Sequence, residues 1–184
     1  SPEKTGHISP QMVQVTVAML EEDFWESPGF RWDALTSEKS ETIAEMVASN
    51  LLVWGETDGW THALRVRLLA AQMVSDYGRT QTLEWYLNSA YYGHMTYGVD
   101  SAAHLYLGKS AADLNLGEAA LLFAVSQAPA LNPLDVPEAA KERQQEVLDT
   151  LVERALITQA EYQDALNAPL SLQSLSEENT PQVP

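Results

Sequence analysis

The stretch "LEEDFWESPGF", Leu20 to Phe30, gathers four carboxylates, Glu21, Glu22, Asp23 and Glu26, beside Phe24, Trp25 and a Pro28-Gly29 turn. That is the composition of a catalytic loop, because a carboxylate can take a proton from an attacking hydroxyl or return one to a leaving group. Two cations stand further along in "HALRVR", where Arg65 and Arg67 could meet a phosphate, although two arginines on a helix equally make a solvated face. No Gly-rich phosphate loop and no His-Glu-x-x-His is present. With no cysteine there is neither a thiolate metal site nor a disulfide, which says nothing about compartment.

Helices must position these groups. Ser9-Pro10 offers an N-cap followed by proline at the first helical position, opening "QMVQVTVAML"; Val15, Thr16 and Val17 would also suit a strand, but helix is the expected state. In "SEKSETIAEMVASNLLVW", Ile43, Met46, Val47, Leu51 and Leu52 fall at the three-and-four spacing of one helical face, and "HALRVRLLAAQMVSDY" repeats that spacing. Thr80 is expected to cap a separate helix over "QTLEWYLNSAYYG". Asn115 with Glu118, and Thr158 with Glu161, make capping-box signals for two more, and Pro137 to Ala155 is a further long helix. The polar tail, residues 171–184, is expected to be disordered.

At 184 residues and 45% apolar content the chain can bury one core, and one domain over residues 1–170 is the expectation. The balance of 26 acidic against 10 basic residues gives a net charge of -16, which repels phosphate backbones and the anionic face of a bilayer. Nucleic acid is excluded as a partner on that ground. No apolar run approaches the ~20 residues of a membrane span, and "SPEKTGHISP" lacks the charged and apolar regions of a signal peptide. Membrane association is therefore expected only through segments outside this chain.

From Tyr86 onward the punctuation is more specific than a helical bundle requires. Tyr86-Leu87-Asn88, Tyr92-Gly93, Tyr97-Gly98-Val99, Ala102-Ala103, Tyr106-Leu107-Gly108-Lys109, Leu114, Glu118-Ala119-Ala120-Leu121-Leu122, Gln127-Ala128-Pro129 and Asn132-Pro133 follow in order. This series resembles the peptidoglycan glycosyltransferase (transglycosylase) domain of penicillin-binding proteins, glycosyltransferase family 51, and the likeness extends from about Ile8 to Leu170. The resemblance implies a mostly α, single lysozyme-like helical domain of a family that joins a growing glycan to lipid-linked disaccharide-peptide. Glu84, Asn88, Gly93, Gly98, Gly108, Lys109 and Glu118 take structural places in it, the glycines as turns or close approaches. Leu83, Leu87, Leu121, Leu122 and Val125 recur at helical spacing and belong to its core.

The motifs that carry the family's chemistry are altered. E-D-x-x-F-x-x-H-x-G aligns without a gap on Phe24 and Gly29, which sets Leu20 at the catalytic glutamate, Glu21 at the aspartate and Ser27 at the histidine. A two-residue slip would offer Glu22-Asp23 but breaks a register that fits on both sides. Because a helix turns by ~100° per residue, Glu21 is expected to point away from the base position. G-G-S-T-I-x-Q-Q-x-x-K-N appears as "KSETIAEMVASN", which keeps Thr42, Ile43 and Asn50 but puts Lys39 and Ser40 at the glycines, Glu45 and Met46 at the glutamines and Ser49 at the lysine. R-K-x-x-E becomes His62, Ala63 and Val66. Thr42, Glu45, Ser49, Asn50, Arg65 and Arg67 thus fall in the implied substrate cleft, where Glu41 and Glu45 would repel a diphosphate.

Loss of a general base costs ~10²- to 10⁴-fold in rate, and loss of the cations that stabilise a leaving pyrophosphate can cost as much again. The resulting expectation is a family 51-like domain tied to bacterial cell-wall synthesis, catalytically inactive, that acts as scaffold, regulator or glycan-binding module. Its partners would be peptidoglycan strands or cell-wall synthesis proteins. The alternative is an active glycosyltransferase with Glu21 or Glu22 as relocated base; a glycan-cleaving enzyme comes third. The resemblance also implies an extracytoplasmic location, and magnesium or manganese only for an active domain. With Leu20 and Val66 at the acid positions, neither a metal site nor a cofactor is expected.

Overall fold

The computed structural model describes residues 7–31, 42–53, 59–170 and 172. Among these residues there are seven α-helices and no strand, apart from a single bridge between Tyr91 and Tyr97. Lys39, Ser40, Glu41 and, but for Leu172, the tail expected to be disordered lie outside the described residues.

Helix α1 (Pro10–Leu20) starts where the Ser9 hydroxyl accepts from Met12 N at 3.1 Å, with Pro10 in the first turn where its missing N–H is no loss. Val15, Thr16 and Val17 are all buried in it, so burial against the rest of the molecule outweighs the strand preference of β-branched residues. Helix α2 (Ile43–Leu52) is capped by Thr42, whose Oγ1 accepts from Glu45 N at 3.1 Å. Its Ile43, Ala44, Val47 and Ala48 are buried, and it packs chiefly on α3 (Trp60–Ser89). Leu51 and Leu52, expected on that buried face, continue its stripe by one turn into an open groove and remain 48% and 54% exposed.

The two helices expected on either side of Thr80 are both present as the two limbs of α3, which is broken at Gly78 by a non-helical backbone (φ 80°, ψ 166°). Thr80 lies inside the second limb and caps nothing; the Thr82 hydroxyl instead donates to Gly78 O at 2.9 Å. Only glycine takes that backbone without a Cβ clash, so the chain kinks here and then resumes its helix.

Helix α4 (Val99–Leu107) stops at Gly108 in the left-handed region. Helix α5 (Leu116–Gln127) begins at the expected capping box, with Glu118 N donating to Asn115 Oδ1 at 2.9 Å and Asn115 N to Glu118 Oε2 at 3.0 Å. Residues 117–125 of α5 are all buried, as a helix that is apolar all round must be. Around it pack α1, α4, α6 (Pro137–Glu153) and α7 (Gln159–Asn167), the last opened by the Thr158–Glu161 capping box. Leu83, Leu87, Leu121, Leu122 and Val125 all lie in this core.

Candidate functional site

Helix α1 ends at Leu20, which is half-buried. The next residue, Glu21, has left the helix (φ -156°, ψ 87°), so the helical turn that was expected to carry its side chain away does not apply. Its carboxylate turns inward and is 5% exposed. Oε2 accepts from Ile43 N at 2.8 Å, at the start of α2, where unpaired amides and the helix dipole favour an anion. Oε1 is buried without a hydrogen-bond partner. Burial pushes the Glu21 carboxyl above its ordinary value; the Ser27 hydroxyl and the Ile43 amide oppose this, while the charges of Asp23 and Glu45 add to it. Glu22, Asp23 and Glu26 remain exposed.

The rest of the loop is built to be held. Phe24 is buried against Trp25, their rings 5.0 Å apart and near edge-on at 73°, whereas Trp25 itself is only half-buried. The Ser27 hydroxyl accepts from Gly29 N at 3.2 Å, and its carbonyl accepts from Arg79 of α3, with Nε at 2.9 Å and Nη2 also donating. The Thr42 hydroxyl donates to Gly29 O at 2.8 Å. Gly29 has φ 93°, and a Cβ there would stand 2.8 Å from Val74 Cγ2 and 3.0 Å from Ala70 O. No side chain fits that gap between loop and α3. The loop is thus pinned to α2 by two bonds and to α3 by Arg79 and close packing.

Behind it, Glu45 and Arg67 form a buried ion pair, Nε to Oε1 at 3.3 Å, with the side chains 1% and 6% exposed. This corrects two expectations: Arg67 is not on a solvated face, and the Glu45 charge is matched by a cation instead of standing free to repel a diphosphate. Arg65 is exposed, His62 half-buried, and Ala63 and Val66 are buried. Ser49 is half-buried and Asn50 exposed at the far end of α2.

Two cations that the sequence reading missed border the base position. An open cavity of about 630 Å³ is lined by Leu20, Glu21, Glu22, Asp23 and Glu26 together with Arg31 and Arg154. Arg154 Nη1 donates to Ala18 O at 3.0 Å across 136 residues of sequence. No local pattern could have announced that contact.

The remaining motif residues stand elsewhere. Glu84 is half-buried on α3 and accepts from Gln81 at 3.2 Å, while Asn88 is exposed near its end. Gly93, Gly98 and Gly108 have φ of 86°, 87° and 67°; a Cβ on Gly93 would meet Pro129 O at 2.9 Å, and one on Gly98 would meet Asn88 O at 3.0 Å. Lys109 pairs with the buried Glu118 at 2.7 Å.

Among the described residues no three His, Asp or Glu side chains are gathered to hold a metal ion. The groups at the implied cation position do not fit one either: Leu20 and Val66 carry no oxygen, one Glu21 oxygen is on the Ile43 amide, and Glu45 is on Arg67.

The helical fold has a counterpart among known proteins. Residues 2–152 match the transglycosylase family. The chain belongs to that family. Penicillin-binding protein 2D of Bacillus subtilis (strain 168) is 28% identical over 184 aligned positions, covering 93% of this chain and 26% of that protein. Penicillin-binding protein 1A of Aquifex aeolicus (strain VF5) is 38% identical over 132, covering 71% of this chain and 18% of its own length. The crystal structure of penicillin-binding protein 1A from Haemophilus influenzae matches 95% of this chain and 18% of that one with a TM-score of 0.54 at 22% identity, a likeness of fold. The transglycosylase chain described here thus spans about a quarter or less of these relatives, and its architecture is a mostly α, lysozyme-like helical domain, matched by the Haemophilus influenzae structure.

Proposed function

We propose that this transglycosylase-family domain is catalytically silent and serves bacterial cell-wall synthesis on the extracytoplasmic side as a scaffold, regulator or glycan-binding module. One observation carries the reading: the place of the base holds Leu20, and the acid beside it, Glu21, is used inside the protein to hold the start of α2. Leucine cannot accept a proton. Glu21 could act on a hydroxyl only after leaving Ile43 N and coming out of burial.

A relocated base is the second reading, and the same residue favours it. A carboxyl held above its ordinary value by burial is what general acid–base chemistry at neutral pH requires. Against it stands access, since Oε1 is buried and Oε2 engaged. Glu22, on the wall of the open cavity, has access.

The two readings separate on titration of the domain with lipid-linked disaccharide-peptide, with and without magnesium. Silence predicts neither polymer nor cleaved glycan. Polymer formation would select the relocated base, and cleavage a glycan-degrading enzyme.

A further inference from the structure

Helix α2 packs chiefly on α3, and the buried Glu45–Arg67 pair fastens it to the limb of α3 that precedes Gly78. Helix α1 belongs to the other body, against α5 and α6. Between the limbs of α3 the chain turns at Gly78, and no atom stands within 4 Å of the place a Cβ would take there, so the joint is not braced from that side. Loop 21–29, which leaves the end of α1, spans this joint. On one side of it, Glu21 Oε2 accepts from Ile43 N, the Thr42 hydroxyl donates to Gly29 O, and Gly29 lies against Ala70 and Val74. On the other side Arg79, the residue next to Gly78, donates to Ser27 O.

We propose that α2 and the first limb of α3 swing as one lobe about Gly78, and that loop 21–29 is a pH-sensitive latch that holds the lobe closed through Glu21. A hinge needs only a few residues at the end of an element that can absorb a backbone change, and a glycine between two helical limbs is such a place. Opening parts Glu21 from Ile43 N and Gly29 from Thr42, and brings the Glu21 carboxyl into water. Charge sets the direction of the switch. In the closed state Glu21 faces Asp23 on its own loop and Glu45 on α2, Glu45 being matched by Arg67 of α3, while Arg31 and Arg154 line the cavity outside. Burial first, and then the charges of Asp23 and Glu45, raise the closed carboxyl above its ordinary value against the help of Ser27 and Ile43. The closed state therefore holds a proton that a hydrated, open Glu21 gives up near 4.5. The ratio of open to closed rises by up to about tenfold per pH unit from there to the raised value, and levels off above it. The motion does not depend on whether the domain is catalytic.

The full 184-residue chain has no cysteine, so spin labels at Leu64→Cys on the lobe and Glu142→Cys on α6, both exposed positions, report one separation without background. Double electron–electron resonance should give a single distance at pH 4.5 and a second, populated distance at about pH 8. Thr42→Val removes one bond of the latch and should enlarge the second population at both pH values. Gly78→Ala should enlarge it too, because alanine rarely takes the φ of the closed joint. Glu21→Gln keeps an acceptor for Ile43 but does not titrate, and its distribution should be the same at both pH values. One unchanged distance throughout, in the labelled wild type and in Thr42→Val alike, would overturn the proposal. So would a pH dependence that survives Glu21→Gln, or a second distance that appears only with loss of the far-ultraviolet helical signal, which marks unfolding instead of a swing.

Discussion

Glu21 is a carboxylate whose burial is only partly compensated. One oxygen meets the Ile43 amide and the other is buried without a hydrogen-bond partner, and burial outweighs the opposing help of Ser27 and Ile43, so the fold favours the protonated form over the charged one. The folded protein therefore holds this proton at higher pH than the unfolded chain does. Its contribution to stability is complete below the ordinary value of 4.5 and is lost as pH rises through the raised one. Glu21→Gln keeps an acceptor for Ile43 and removes the titration. The melting temperature of the variant relative to wild type should rise as pH is taken from 4.5 toward neutrality; a constant difference, or one that falls, would contradict the account. Glu45 and Arg67 give a second test at this scale. Each single substitution to methionine removes a buried partner and should cost about 3–5 kcal/mol, while the double substitution should cost much less than the sum. Additive costs in denaturant unfolding would show that the pair is not coupled.

Among the elements, α5 holds the fold together and shows where sequence logic inverts. A glycine inside a helix is ordinarily worse than alanine by roughly 0.5–1 kcal/mol. At Gly117, however, a Cβ would stand 2.6 Å from Ala165 O of α7 and 3.2 Å from Gln144 Nε2 of α6. Gly117→Ala should therefore lower the melting temperature despite better helix propensity, and a rise would mean that α7 can move away at no cost. The same distinction explains what could be read in advance. Ser9, Asn115 with Glu118 and Thr158 with Glu161 announced helix starts because a cap is made within four residues. Thr80 misled only as to the cap, because the break between the two helical limbs falls two residues earlier, at Gly78. Leu20, Ser27 and Val66 could be placed by alignment on the family motifs. The inward turn of Glu21, the burial of Arg67 against Glu45 and the arrival of Arg154 at α1 could not, because each is decided by a partner at least 22 residues away.

Taken whole, the molecule is an acidic transglycosylase-family domain whose loop, α2 and α3 are tied together by their own polar groups. A divalent cation would need several oxygens free to converge. Calorimetric titration with magnesium should accordingly show no stoichiometric site, and tight binding lost in Glu21→Gln would contradict this. The claim that the loop is held for packing and does not transfer protons is tested most directly by polymerisation of labelled lipid-linked disaccharide-peptide by wild type, Leu20→Glu and Glu21→Gln. The account predicts no polymer above background from any of them, because restoring one carboxylate leaves Ser49, His62 and Ala63 without the cations that the family motifs place there. Robust polymerisation by wild type that disappears in Glu21→Gln would mean that the base has moved by one residue.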